Sequence, residues 1–193
     1  MKSKRSSHIS LALLALSLLL FATHASYAQD SSSFAKQGTV ELGGSISILS
    51  TTPVFNGQKG TAETIIMVQP FFGYFVADGF ELGFDPFGIN SLSAGGSSIT
   101  EWTIFAAPSY NFRTGGKVYP FIEALVGYTA ITGGGDVSGL SWGGRMGLKI
   151  AVTDKGLLNL GFQYTQVTLD TSESTERSGM DNFFVSAGFT IWI

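Results

Sequence analysis

The last stretch of the chain, residues 181–193 (DNFFVSAGFTIWI), alternates large apolar side chains with mostly smaller or polar ones. A period of two predicts a β-strand with one wholly apolar face, formed here by Phe183, Val185, Ala187, Phe189, Ile191 and Ile193. We expect both edges of this strand to be paired, because an exposed strand edge invites aggregation. Pairing with the first strand would close the sheet and remove both free edges. The stretch therefore favours a closed β-sheet.

The composition favours an all-β fold in a single domain. The chain has 193 residues, of which 25 are glycines and 13% are charged, and its mean hydropathy is positive. Low charge with high hydropathy disfavours disorder, and this length fits one domain. Many glycines and few helix-favouring runs after the N-terminus indicate strands joined by turns.

Residues 1–28 are predicted to be a cleaved signal peptide. A basic start, MKSKRSS, precedes the apolar run ISLALLALSLLLFA, and Ser26 and Ala28 place small residues where a signal peptidase reads the chain. The competing interpretation is a membrane anchor helix, which needs about 20 consecutive apolar residues. This run is shorter, so we expect cleavage after Ala28 and export of the chain.

Removal of the leader leaves a chain without histidine or cysteine, because His8 and His24 both lie in the leader and the sequence has no cysteine. Eight Lys and Arg (11 minus Lys2, Lys4 and Arg5) then face 14 acids, a net charge of about −6. A Ser/His/acid triad, histidine-assisted acyl transfer and a histidine-ligated metal are excluded. We expect no enzyme activity, no cofactor or metal, and no nucleic-acid partner.

The alternation predicts eight strands in the barrel domain, residues 38–193. Residues 29–37 are polar and Ser-rich, and we expect no regular structure in them. The strands are predicted at residues 39–49, 64–76, 80–89, 99–112, 118–129, 140–152, 157–169 and 181–193.

The connections between the predicted strands alternate strictly in length. Long ones are expected at residues 51–63, 91–98, 130–139 and 169–181, and short ones at residues 77–79, 113–117 and 154–156. All long loops then lie at one end of an antiparallel up-and-down barrel, as in transmembrane β-barrels of the outer membrane. We therefore predict an eight-stranded antiparallel transmembrane β-barrel.

Alternation alone does not say whether the apolar face points to lipid or into a core, since soluble lipocalin-like barrels alternate too. Aromatic residues on the apolar face cluster near both strand ends, as two interfacial girdles would. Those near the turns are Tyr74, Phe80, Tyr110 and Phe112, and those near the loops are Trp102, Tyr128, Trp142 and Tyr164. The girdles favour the lipid-facing interpretation.

Several segments, among them QPFFGYFVADGFELGF, VYPFIEALVGYT and FFVSAGFTIWI, resemble the small eight-stranded outer-membrane β-barrel proteins, the family of outer membrane protein X and the barrel domain of outer membrane protein A. In that family the last strand carries a signal for the barrel-assembly machinery. Ser186, Gly188, Ile191 and Ile193 match its positions, although Ile193 replaces the usual final aromatic. The resemblance implies an outer-membrane location and contact with outer-membrane lipid and lipopolysaccharide.

Six charged residues fall on the polar face of the predicted strands: Glu41, Glu81, Glu101, Glu123, Arg145 and Lys149. They could form a constriction that gates a small pore, or a site that holds a cation. The other interpretation is a set of ion pairs that fills the barrel, because eight strands leave room only for side chains and a buried charge must be paired. We favour the second interpretation.

Charged residues also mark the last loop, residues 169–181, which could bind a host surface or a cation, although such a run is more often a solvated variable loop. We expect a monomeric, non-enzymatic outer-membrane barrel with a structural or surface-interaction role through its four long extracellular loops. Two alternatives stay open: a porin-like small-solute channel with a charged lumen, and a soluble periplasmic lipocalin-like binding barrel.

Overall fold

A computed structural model describes residues 34–92, 98–133, 136–170 and 176–193, and side chains within these ranges except those of residues 88–92, 98 and 99. The predicted signal peptide, residues 1–28, lies outside the described residues. The described chain forms nine strands, β1 (Val40–Phe55), β2 (Gln58–Lys59), β3 (Glu63–Ala77), β4 (Phe80–Leu92), β5 (Ser98–Asn111), β6 (Val118–Thr132), β7 (Val137–Ala151), β8 (Gly156–Leu169) and β9 (Ser178–Trp192). No helix among the described residues is long and apolar enough to cross a membrane.

Eight of the strands close into a barrel, and β2 is a short addition to β1. Sequential neighbours pair antiparallel, and β1 also pairs with β9 along a register that runs from Glu41↔Trp192 to Val54↔Gly179. At the turn end of this seam, Val40 and Ile193 exchange backbone hydrogen bonds of 2.9 and 3.0 Å. The closed eight-stranded antiparallel barrel predicted from the alternation is confirmed.

The prediction of a loop over residues 51–63 is wrong for most of that segment. β1 continues to Phe55, and β2 pairs back on it through Val54↔Lys59 and Phe55↔Gln58. The two residues between them, Asn56 and Gly57, have φ angles of 47° and 75°. Asn-Gly readily adopts positive φ at both central positions of a two-residue hairpin turn, so this connection is a β-hairpin that projects from the loop end.

The other long connections are shorter than predicted, because their flanking strands extend further. β6 continues to Thr132, and β7 begins at Val137 within the stretch predicted as loop 130–139. Likewise, β9 begins at Ser178, three residues before the predicted strand start. Residues 93–97, 134–135 and 171–175 of these loops lie outside the described part of the chain.

The outer wall of the barrel is apolar. The wall includes Ile46, Val68 and Val126, each of which is more than half exposed. In water, burial of such apolar side chains would be favourable. Both predicted girdles point outward: Tyr74, Phe80, Tyr110 and Phe112 near the turns, and Trp102, Tyr128, Trp142 and Tyr164 near the loops. The wall fits lipid contact, and a soluble binding barrel does not fit it.

The interior of the barrel, here called the lumen, is filled by side chains in layers. Along β6, from the turn end to the loop end, the inward residues Tyr119, Glu123, Leu125 and Thr129 follow one another. Each belongs to a different layer of the lumen. The aromatic layer comprises Phe34, Ala35, Phe75, Tyr119, Leu157 and Trp192. The charged layer comprises Glu41, Glu81, Asp85, Glu123, Arg145 and Lys149, and the apolar layer comprises Leu49, Met67, Phe87, Phe105, Ala107, Leu125 and Phe184.

The end of the polar N-terminal segment is ordered, contrary to the expectation for residues 29–37. Phe34 and Ala35 are fully buried in the aromatic layer. Ala35 has a φ of 58°, which turns the chain so that residues 36–39 lead into β1. Phe34 directly follows a Ser-rich run. The polar composition of this segment therefore did not predict that Phe34 is buried.

Candidate functional site

Lys149 is the centre of one half of the charged layer. Its Nζ lies 2.6 Å from Glu41 Oε2 and 2.9 Å from Glu81 Oε2, and all three side chains are at most 4% exposed. Glu41 also accepts a 2.6 Å hydrogen bond from the Thr190 hydroxyl, and Glu81 accepts one of 3.0 Å from Asn111 Nδ2. These contacts give the buried charges the partners that they need.

Arg145 organises the other half. Its Nε donates to Glu123 Oε1 at 2.7 Å, and its Nη1 lies 3.0 Å from Asp85 Oδ2. Alternating register places the three residues on one inner surface, since Arg145 lies directly opposite Glu123 across the β6–β7 ladder. Four carboxylates thus surround two cations, so the charged layer has an excess of negative charge when every group is ionised.

Aromatic rings separate the two cations from the rest of the lumen. The Lys149 Nζ lies 5.4 Å from the ring centroids of both Phe71 and Phe121, and Arg145 Cζ lies 5.7 Å from that of Phe71. At these distances the negative faces of the rings attract the cations. The rings also fill space that water would otherwise occupy.

A cavity of about 40 Å³ lies beside the charged layer, with Gln69, Asp85 and Glu123 among its lining residues. Asp85 Oδ1 and Gln69 Nε2 are buried, and neither finds a hydrogen-bond partner among the described residues. One is an acceptor and the other a donor, so a water molecule could bridge them. A cavity of this size holds a few water molecules at most, and it is too small for a solute.

The structure places five of the six predicted lumen residues together: Glu41, Glu81, Glu123, Arg145 and Lys149. Glu101 is separate, because it lies nearer the loop end of β5, opposite Ile131, and forms no ion pair within the described part of the chain. Asp85 joins the charged layer instead. Its position on the polar face was visible in the sequence, but its depth depends on the register with β5.

The apolar layer was not predicted at all. It lies between the charged layer and a polar layer in which Thr129 shares hydrogen bonds with Thr103 and Ser141 at 2.7 and 2.5 Å. The signal was present, since Phe105 and Phe184 fall on the otherwise polar face of their strands. These apolar residues on the inward face mark the level of the apolar layer.

At the loop end, the β1–β2 hairpin is fastened to the start of β9 and to the residue that precedes it. Lys59 Nζ lies 2.7 Å from Asp181 Oδ2, and Arg177 Nη1 lies 2.7 Å from the other oxygen of the same carboxylate. The backbone amide of Gly57 donates to the Arg177 carbonyl at 2.9 Å. Two loops that are distant in sequence therefore form one surface. Of the charged residues predicted there, Glu173 lies outside the described chain.

The four residues that match the assembly signal divide between the two faces of β9. Ser186 and Gly188 point inward, whereas Ile191 and Ile193 are exposed on the outer wall. A Cβ at Gly188 would overlap the backbone oxygen of Gly44, so glycine is needed for the close approach of β9 and β1. The signalling role of the four residues stays a prediction.

A closed eight-stranded antiparallel barrel with an apolar outer wall and a filled lumen is the fold of the small outer-membrane β-barrel proteins. The resemblance noted in the sequence is confirmed at this level by solved structures. Neisserial surface protein A matches with a TM-score of 0.65 and 17% identity, over 80% of this chain and 99% of that one.

Two further solved structures share the fold. The outer membrane protein OprG from Pseudomonas aeruginosa matches with a TM-score of 0.56 and 14% identity, over 82% of this chain and 97% of that one. The outer membrane protein AlkL matches with a TM-score of 0.56 and 16% identity, over 84% and 93%. No protein-family model matches the sequence, and no curated protein does.

Proposed function

We propose that this protein is a non-conducting, non-enzymatic barrel of the outer membrane, which acts through the surface formed by its extracellular loops. The observation that carries the proposal is the interrupted lumen. The charged layer lies between the aromatic layer and the apolar layer. A passage for ions needs a continuous polar path, and at the apolar layer side chains from six of the eight barrel strands occupy the lumen.

The loop end supports a role in surface interaction. The hairpin tip carries Phe55, whose side chain is 70% exposed beyond the part of β1 that pairs with β9. A large apolar side chain at an ordered, projecting tip is a common anchor for a partner. One of the structurally similar proteins is itself named a surface protein.

Outer-membrane assembly completes the proposal. Export would follow cleavage after Ala28, and the assembly machinery would read Ser186, Gly188, Ile191 and Ile193 on β9. The apolar wall would then contact outer-membrane lipid, with lipopolysaccharide around the loop end. The chain is proposed to act as a monomer.

Planar-bilayer recording of the refolded protein tests the absence of conduction. We expect no discrete conductance steps from the wild type or from Arg145→Gln. The variant should nevertheless unfold at a lower temperature, because Glu123 and Asp85 lose their shared cation. Conductance steps in the wild type that change amplitude in Arg145→Gln would establish the channel alternative.

Lys117→Gln is the matched control for this experiment. It also removes one positive charge, but from an exposed position between β5 and β6. We expect it to match the wild type in both conductance and thermal stability.

A further inference from the structure

Residues 34–39 fold back into the turn-end mouth of the barrel. The Phe34 ring packs edge-on against three aromatic rings of the wall, with centroid distances of 5.3 Å to Phe75, 4.9 Å to Tyr119 and 5.4 Å to Trp192. Edge-to-face pairs at these distances are favourable beyond the area that they bury. Phe34 therefore fills the centre of the mouth.

Hydrogen bonds fasten the segment to the adjacent β3–β4 turn. The amide of Gly79 donates to the Ala35 carbonyl at 2.8 Å, the amide of Gly38 donates to the Phe75 carbonyl at 2.8 Å, and the amide of Gln37 donates to Asp78 Oδ1 at 2.9 Å. Ala35 also keeps a left-handed conformation. Such a conformation persists in a non-glycine residue only where its surroundings fix it.

The ring lies against the charged layer. Lys149 Nζ is 5.5 Å from the centroid of Phe34, and the same Nζ forms the ion pairs with Glu41 and Glu81. On the far side, the apolar layer packs side chains from six of the barrel strands together. Phe34 thus stands between the charged layer and the solvent at the turn end.

We propose that residues 34–39 are an intramolecular plug that seals the periplasmic mouth and keeps periplasmic water away from the charged layer. The receptor site for the plug is shared by β3, β6, β8 and β9. It exists only when β9 has closed against β1, so the plug docks on the finished barrel and latches it. This mouth is called periplasmic because of the proposed outer-membrane orientation. The seal itself does not depend on that orientation.

The absence of native cysteine allows a direct test with one introduced thiol. Ser186 lines the cavity beside the charged layer, and Ser186→Cys replaces one oxygen with sulfur there. In reconstituted protein, a small hydrophilic thiol reagent should modify this cysteine slowly. Adding Phe34→Ala should raise the rate at least tenfold, because the mouth is then open.

Phe112→Ala in the same background is the matched control, since Phe112 lies near the same end but on the outer wall. It should leave the modification rate unchanged. An equal rate with and without Phe34→Ala would overturn the seal, and so would modification of Ser186→Cys in the otherwise wild-type barrel as fast as of Gly116→Cys in an exposed turn.

A second variant covers the case in which Phe34→Ala does not fold. Asp78 is exposed and accepts a hydrogen bond from the Gln37 amide of the plug, so Asp78→Ala should fold and raise the modification rate to a smaller extent. An unchanged rate in folded Asp78→Ala, with Phe34→Ala unfolded, would reduce Phe34 to a packing residue and reject the seal. Recovery of the wild type in a soluble fraction would instead contradict the proposed function, and the labelling comparison would stand.

Discussion

Lys149 is a single buried cation that forms ion pairs with carboxylates from two different strands. Glu41 comes from β1 and Glu81 from β4, and each reaches Lys149 on β7 across the lumen. The parity of the alternation predicted that all three residues point inward. Their mutual distances could not be predicted, because they depend on the register of strands that are not neighbours in the sheet.

Lys149→Met should lower the free energy of unfolding by about 3–5 kcal/mol, since it leaves two buried carboxylates without their cation. Urea titration of the refolded protein, followed by the mobility difference between folded and unfolded forms on gels, measures the change. The triple variant with Glu41→Gln and Glu81→Gln should recover most of the loss. A triple variant as unstable as Lys149→Met would mean that the lysine acts by packing alone.

At the scale of elements, the β1–β9 seam depends on small residues. A side chain at Gly188 would collide with the backbone of Gly44 on the facing strand. Gly188→Leu should therefore destabilise closure by at least about 1–3 kcal/mol, the usual cost of overpacking, and should reduce the folded fraction recovered from membranes.

Gly116→Ala is the control for the seam variant, because an added Cβ there has open space apart from a 4.0 Å contact with Thr114 Oγ1. It should assemble like the wild type. Normal assembly of Gly188→Leu would contradict both the steric argument and the proposed signal in β9.

The N-terminal segment gives a pH dependence that is confined to the turn end. The hydrogen bond from the Gln37 amide, assisted by the nearby Arg113 guanidinium, lowers the pKa of Asp78 below its ordinary value of 3.8. Because the folded value is the lower one, this contribution to stability is present above pH 3.8 and is lost as the pH falls through the folded value.

Comparison of the wild type with Asp78→Asn isolates that contribution. The difference in urea midpoint between the two proteins should be constant at neutral pH and should shrink below about pH 4. Titrations in the lumen affect both proteins equally and cancel. A difference that grows on acidification would show that Asp78 does not hold the segment through its charged form.

The β1–β2 hairpin was missed because the composition of its segment is typical of a loop. Residues 51–63 are rich in Thr, Gly and Asn, and this favours a loop, yet the dipeptide Asn56–Gly57 is itself a strong hairpin signal. The strand on each side could have been extended from that turn. The burial of Phe34 gave no comparable local signal, because its contacts come from β3, β6 and β9.

For the whole molecule, a closed antiparallel wall predicts resistance to detergent. The protein expressed with its leader should be recovered with outer membranes and should migrate faster on gels before boiling than after it. The reason is that each of the eight barrel strands pairs with both of its neighbours, so unfolding must break many backbone hydrogen bonds together. Recovery in a soluble fraction, or equal mobility before and after boiling, would contradict a transmembrane barrel.

The alternation, together with the loop lengths, was sufficient to predict the strand number and the antiparallel order, whereas the outward face also required the aromatic girdles. It was insufficient for the layers of the lumen. Phe105 and Phe184 face inward as the parity of their strands requires, but only the closed barrel brings them to one level. The packing of the apolar layer is a property of the assembled sheet.

The fastening of the β1–β2 hairpin has a consequence for recognition. Lys59 and Arg177 both pair with Asp181, so the hairpin is held before any partner arrives. An antibody or receptor that contacts this tip would lose little conformational entropy in ordering it. Among the surfaces at this end of the barrel, the hairpin is therefore a preorganised epitope.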